Sequence, residues 1–283
     1  MYRQRVYPRR QTRSRGGNRL RMLIALGLAV FSLISFFSSK EFNPVTGEDQ
    51  YVNISQDQEI ALGLQSAPQM ADQFGGLDPN PQYQQIVDIV GIQLVRESVA
   101  LESDYPFEFH MLADARTVNA FALPGGQIFI TRALFERLDT EGQLAGVLAH
   151  EIVHVLARHG AERIAQTELT QGLTGAVVLA TYDPNNPSSQ QKAQLALLAG
   201  QLINMKFGRE DEIQSDTLGV QIMADAGYDP RAMIEVMQVL AAASPNGPSE
   251  FFSTHPNPEN RIARIQAAIE AVFPNGVPGG LIE

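Results

Sequence analysis

The stretch VLAHEIVHVLARHG, residues 147–160, holds three of the five histidines of this 283-residue chain within ten positions. His150 and His154 stand four apart, with Glu151 directly after the first. On a helix, residues four apart share a face, so both imidazoles can turn toward one ion. Glu151, one step round, can reach a neighbouring water without joining the ligands. In this H-E-x-x-H arrangement two histidines hold zinc while a carboxylate takes the proton of a water that the metal acidifies. The competing reading is a buried helix whose histidines are satisfied by hydrogen bonds, and Leu148, Ile152 and Val155 do supply a flank for a core. The surroundings favour the metal. Gly142 and Gly146 precede His150 at steps of four and keep that face clear of bulk. Thr140 and Gln143 form a capping box, opening a helix that runs through the histidines to Gly160.

A hydrolytic zinc site takes three protein ligands and keeps one position open. A third histidine at 160 after a glycine at 157 is ruled out, because those residues are Gly160 and Ala157. The acid-rich stretch FGREDEIQSDTLG, 207–219, is the other source. Of its acids, Glu212 and Asp216 share a face, and Gly208, Ser215 and Gly219 let that face approach closely. Glu212 is the expected third ligand. Asp216 is expected to orient a ligand histidine by accepting its second N–H. Glu210 and Asp211 read as solvated surface.

The chain has no cysteine, which excludes disulfides, Cys–zinc sites and a thiol nucleophile. The net charge of −10 hides a division: the first 21 residues carry eight arginines and no acid. They end at MLIALGLAVFSLISFFSS, 22–39, an uncharged run of 18 residues. At about 1.5 Å per residue this nearly matches a bilayer core of roughly 30 Å. Arginines before it place the N-terminus in the cytoplasm and the body outside. The run reads as an uncleaved anchor, with a signal sequence as the rival. A basic head ending in an apolar run points to a membrane and gives no reason to expect a nucleic-acid partner.

Residues 1–21 are thus a basic segment, 22–39 the anchor or signal sequence, 40–54 a linker with turns, 55–273 one catalytic domain and 274–283 a flexible tail. Ser55 and Gln58 form a capping box for a helix to about Gln73, and a second helix covers about 80–99. PFEFHMLAD and TVNAFALPGGQIFIT alternate and read as strands, with Pro124-Gly125-Gly126 turning between two of them. A short helix follows at 132–138. After 160 come a helical stretch to 180, a proline-containing loop at 180–191 suited to a lid, and helices near 190–226, 230–243 and 258–272. The fold class is α+β, mostly helical, with one small sheet.

The sequence resembles the zinc metallopeptidase family that includes the CAAX prenyl proteases, HtpX and the bacterial and mitochondrial membrane quality-control proteases. The matching pieces are NPVTG (43–47), NAFALPGG (119–126), HEIVHVLARHG (150–160), FGREDEIQSD (207–216), AGYDP (226–230) and STHPNPENRI (253–262). The family pattern H-E-x-x-H followed by E-x-x-x-D falls on His150, Glu151, His154, Glu212 and Asp216, and implies a zincin-like domain with the same roles. A single apolar segment departs from the multi-span prenyl proteases and fits a single-pass inner-membrane protein with its catalytic domain in the periplasm or another extracytoplasmic space.

Asn119, Ala120, Phe121 and Ala122 resemble the family's strand beside the catalytic helix. As an edge strand it would hold an extended peptide by main-chain hydrogen bonds; as an internal strand it would not. His255, in a proline-bounded loop, could act as a fourth ligand that keeps the enzyme latent. His255 or Arg261 could instead stabilise an oxyanion, or both could be structural. His110 and His159 read as structural. The expectation is a membrane-anchored zinc endopeptidase holding one Zn2+ per chain, with Glu151 as general base, acting on proteins or peptides. Unfolded or misassembled envelope proteins as substrates are implied by the resemblance alone. The alternative is a zinc-containing chaperone or adaptor that holds extended clients without cleaving them.

Overall fold

The computed structural model describes residues 15–181, 207–243, 250–256 and 260–283. They fall into two compact units. The smaller holds α1 (Arg15–Ser38) and residues 167–181 of α6 (His159–Thr181). Within α1, the 20 residues Arg19–Ser38 are long and apolar enough to cross a membrane, with a mean hydropathy of 2.2. The second half of α6 meets α1 closely: a Cβ on Gly172 would lie 2.0 Å from Ser32 Oγ.

The larger unit begins with an element the sequence reading missed. The expected linker is a hairpin, β1 (Lys40–Asn43) paired antiparallel with β2 (Glu48–Tyr51). Asn43 makes it. Its Oδ1 accepts from the amides of Val45 and Thr46, and Gly47 takes φ +72 to complete the turn. The same side chain donates from Nδ2 to the carbonyl of Leu156 at 2.9 Å, so the turn is fastened to the end of a distant helix.

α2 (Gln56–Gln73) opens with the expected Ser55–Gln58 box, both hydrogen bonds present. α3 (Pro81–Arg96) starts on Asn80 as N-cap with proline in its first turn, and buries Val87, Val90 and Leu94. The sheet has the order β3 (Glu108–Leu112), β5 (Gln127–Thr131), β4 (Ala120–Leu123). β3 runs parallel to β5, and β4 returns antiparallel through Gly125 and Gly126, both at positive φ. Gly125 has no room for a side chain, since a Cβ there would lie 2.4 Å from Ile60 Cα of α2. β4 stands at one end of the sheet and pairs on one side only among the described residues.

α4 (Arg132–Phe135) leads to α5 (Glu141–Leu156), which buries every residue from Gly142 to Leu156. A helix apolar all round belongs at the centre of a core. α3, β4, α7 (Arg209–Asp225) and α8 (Ala232–Ala242) pack around it. Leu148 and Ile152 are fully buried, each stabilising by about 1.5–3 kcal/mol. Thr140 accepts from the amide of Gln143, but the Gln143 carbonyl reaches Asp139 N, one residue short of a full box.

α5 stops at Leu156, not at Gly160, because Arg158 takes a left-handed φ of 58. That conformation is held from outside. Arg158 Nε donates to Glu59 at 2.7 Å and its Nη2 to the Ile54 carbonyl at 2.8 Å. α9 (Glu250–Thr254) and α10 (Arg261–Val272) complete the unit. The tail, expected to be flexible, is hydrogen-bonded at its end: Asp229 N reaches the Ile282 carbonyl and Ile282 N the Gly227 carbonyl. The helix expected over 190–206 and the loop beyond Thr181 lie outside the described residues.

Candidate metal centre

His150 and His154 turn their Nε2 atoms to the same point from successive turns of α5, 3.1 Å apart. α7 crosses that face closely enough to deliver a carboxylate. The two helices are close at Gly219, where a Cβ would stand 3.5 Å from the backbone nitrogen of His150, an ordinary contact, and 2.9 Å from Met233 Cε. Glu212 Oε2 lies 3.4 Å from His150 Nε2, and Oε1 lies 3.5 Å from His154 Nε2. His255 joins them, with Nδ1 3.1 Å from Glu212 Oε1 and 3.4 Å from His150 Nε2. One donor atom from each of the four residues falls within 4.8 Å of all the others, and all four residues are buried.

This set fits a divalent cation of the zinc type by its chemistry, imidazole nitrogens with one carboxylate. Three nitrogens converge on one carboxylate, and Glu212 Oε2 is buried without a hydrogen-bond partner. A positive charge at the centre satisfies all of them together. Burial opposes charge on His150, but Asp216 and Glu212 outweigh it and raise its pKa to about 9. Burial likewise works against a charged Glu212, yet the facing His255 and His150 hold it well below the usual carboxylate range. Burial pushes His154 far below its ordinary value.

Behind the ligands, the Asp216 carboxylate accepts from His150 Nδ1 at 2.9 Å, as its i, i+4 relation to Glu212 suggested. Arg261 grips Asp216 with Nε at 2.6 Å and Nη2 at 2.8 Å, and its Nη1 lies 3.4 Å from Glu212 Oε2. At 2% exposed, Arg261 is buried against these two carboxylates. Phe251 stacks on His255 at 4.6 Å and 16°, and Phe207 leans over His154 at 4.3 Å.

Glu151 is fully buried, and neither of its oxygens has a hydrogen-bond partner. His255 Nε2 lies 3.7 Å from its Oε1. Burial, partly offset by His255 and His150, raises the Glu151 pKa. A carboxylate with a raised pKa, free oxygens and a metal group beside it is equipped to accept and return a proton.

His159, expected to be structural, is part of this assembly. Its Nδ1 lies 2.9 Å from His154 Nδ1. Spacing could not show this, because the contact depends on the break at Arg158. His110 is structural, bonded to Gln127 at 2.8 Å and stacked on Phe129. Asn119, just before β4, and Ala120 are buried, Phe121 stacks on Phe129 at 4.9 Å, and Ala122 packs at the core's margin. Asn119 Oδ1 has no hydrogen-bond partner.

Residues 81–269 match the sequence pattern of peptidase family M48. The chain is 32% identical over 232 residues to a beta-barrel assembly-enhancing protease of Yersinia pestis, covering 80% of this chain and 46% of that one. The equivalent protein of Escherichia coli K12 is 31% identical over 241 residues, with 81% and 47% covered. A mitochondrial metalloendopeptidase OMA1 of Schizosaccharomyces pombe is 30% identical over 236 residues, with 82% and 67% covered. The match therefore spans less than half of each bacterial relative. The family match covers the metal group, its carboxylate neighbours and the edge strand together, and the chain belongs to peptidase family M48.

Proposed function

We propose that this chain is a zinc-dependent endopeptidase, anchored by α1 with its body outside the cytoplasm, that cleaves unfolded or misassembled envelope proteins. The observation that carries it is the convergence of His150, His154 and Glu212 beside a buried, unpartnered Glu151. One zinc ion held by those three residues supplies a Lewis acid for the scissile carbonyl and brings a water's pKa towards about 7. Glu151 takes a proton from the attacking water and returns it to the departing amine nitrogen. Asp216, braced by Arg261, keeps the His150 Nδ1–H engaged and its Nε2 lone pair directed inward. β4 pairs on one side only among the described residues, and its part-exposed end, Ala122 and Leu123, is where the main chain of an extended peptide would pair, a mode that tolerates many side chains; Asn119, Ala120 and Phe121 are buried. That tolerance suits unfolded substrates, and the names of the bacterial relatives, which concern β-barrel assembly, point to the envelope. A chaperone that only holds clients has no use for Glu151 in this state.

His255 acts as a latch. Its Nδ1 stands among the ligand atoms, its Nε2 faces Glu151, and it is fully buried. In this arrangement the open position of a hydrolytic site is taken by His255, and activity requires that α9 swing it out.

The test is degradation of an unfolded protein by the full chain in detergent, comparing wild type, Glu151→Gln and His255→Ala at matched zinc content. Glu151→Gln should retain zinc and lose about 10²–10⁴-fold in rate. His255→Ala should raise the basal rate. Cleavage by Glu151→Gln at the wild-type rate contradicts the assigned base, and an unchanged basal rate in His255→Ala contradicts the latch.

A further inference from the structure

On the side of the His154 ring away from Nε2, four side chains from four elements stand in a row. His154 Nδ1 of α5 lies 2.9 Å from His159 Nδ1 at the start of α6. His159 Nε2 lies 3.0 Å from Gln214 Oε1 on α7, and Gln214 Nε2 donates at 3.0 Å to Glu48 Oε2 on β2. His154 and His159 are each 3% exposed, whereas Glu48 is at the surface.

Each link has a direction that can be read from its chemistry. Glu48 is a carboxylate and only accepts, so Gln214 must turn its amide nitrogen toward it. Gln214 then presents its carbonyl to His159, whose Nε2 must carry a proton. A neutral imidazole has one N–H, so His159 Nδ1 is an acceptor facing His154. His154 in turn must carry its proton on Nδ1, which leaves the Nε2 lone pair free for the metal group.

We propose that Glu48, acting through Gln214 and His159, sets the tautomer and ring orientation of His154. The three are positioning residues, and the proposal rests on the reading of His154 as a metal ligand. With a neutral His159, either alternative sets two acceptors against each other. If His159 held its proton on Nδ1, its bare Nε2 would face the Gln214 carbonyl. If Gln214 then flipped, its carbonyl would face the Glu48 carboxylate.

The two ligand histidines are thus served differently. His150 leans on a buried carboxylate in direct contact, Asp216. His154 is tied to a surface carboxylate three hydrogen bonds away, on the hairpin that follows the apolar helix. That hairpin is fastened near the same corner by Asn43 to the Leu156 carbonyl and by the Tyr51 amide to Glu162.

The test is the zinc dissociation constant of the full chain in detergent, measured by competition with a chromophoric chelator, alongside the melting temperature of each metal-free variant. His159→Leu should weaken zinc binding about 10–100-fold, the usual effect of losing a ligand's outer partner. His159→Asn, whose Oδ1 replaces the Nδ1 acceptor, should recover most of that loss. Gln214 is half-buried, so Gln214→Leu leaves the fold intact; it should weaken binding about two- to tenfold, the worth of one hydrogen bond. Combined with His159→Leu it should add nothing. The swap Gln214→Glu with Glu48→Gln keeps every donor facing an acceptor and should bind zinc as the wild type does. Wild-type affinity in His159→Leu or Gln214→Leu overturns the proposal, as do equal losses in His159→Leu and His159→Asn. If wild type itself binds no zinc, the metal reading fails with it, which the first titration shows directly.

Discussion

Replacing Arg261 by methionine removes a guanidinium that is 2% exposed and leaves the Asp216 carboxylate, 1% exposed, with His150 Nδ1 as its remaining partner. Breaking a buried pair from one side costs about 3–5 kcal/mol, because the remaining charge has neither water nor the guanidinium that faced it. For a domain of this size each kcal/mol lowers the melting temperature by roughly 2–4 °C, so Arg261→Met should melt about 6–20 °C lower. The assay is calorimetry of the chelator-treated protein, which separates the ion pair from metal stabilisation. Adding Asp216→Asn should restore part of the loss, since the stranded charge is then gone. The rescue stays partial because Arg261 Nη1 also lies 3.4 Å from Glu212 Oε2. A drop below about 2 °C in the single variant, or strictly additive losses in the double, would refute a stabilising Arg261–Asp216 pair.

Gly63→Ala should destabilise although Gly63 is helical, because its Cβ would lie 2.1 Å from the Pro124 carbonyl oxygen, which is backbone and cannot rotate away. Overpacking of about 1–3 kcal/mol exceeds the roughly 1 kcal/mol of helix propensity gained, and an unchanged melting temperature would contradict it. Asp229 gives a pH prediction. Arg231 holds its carboxyl below the ordinary value of about 3.9, so the pair's stabilisation is present above that value and is lost as pH falls through the folded pKa. The difference in melting temperature between wild type and Asp229→Asn should therefore shrink below about pH 4; a constant difference from pH 7 to pH 2 would exclude the pair as its source.

Much of the fold is local and was legible. Ser55 and Gln58 mark the start of α2 because a capping box is closed within four residues. The β4–β5 return follows from alternation and from glycines that accept positive φ. The β1–β2 hairpin was not legible, because Lys-Glu-Phe-Asn and Glu-Asp-Gln-Tyr are mostly polar and too short for alternation to show. Its signal was the Asn-Pro-Val-Thr-Gly turn, and its reason is a bond from Asn43 to a carbonyl 113 residues away.

The centre divides the same way. His150, His154, Glu212 and Asp216 follow from the three- and four-residue repeat of helices, because each pair sits on one helix and shares a face. His159 does not. In an unbroken helix a residue five positions on is rotated by about 140°, so His159 would point away from His154. The left-handed turn at Arg158 brings the rings within 2.9 Å, and an arginine carries no sequence mark of positive φ. What holds that turn is Glu59 on α2, 99 residues earlier, itself bonded to Tyr105. A non-glycine residue in that region costs about 1 kcal/mol or more, and it persists only where its surroundings over-determine it. The motif therefore supplies the candidate ligands, while the placement of His159 against one of them depends on an ion pair whose acid, Glu59, lies outside every stretch that carries the family resemblance.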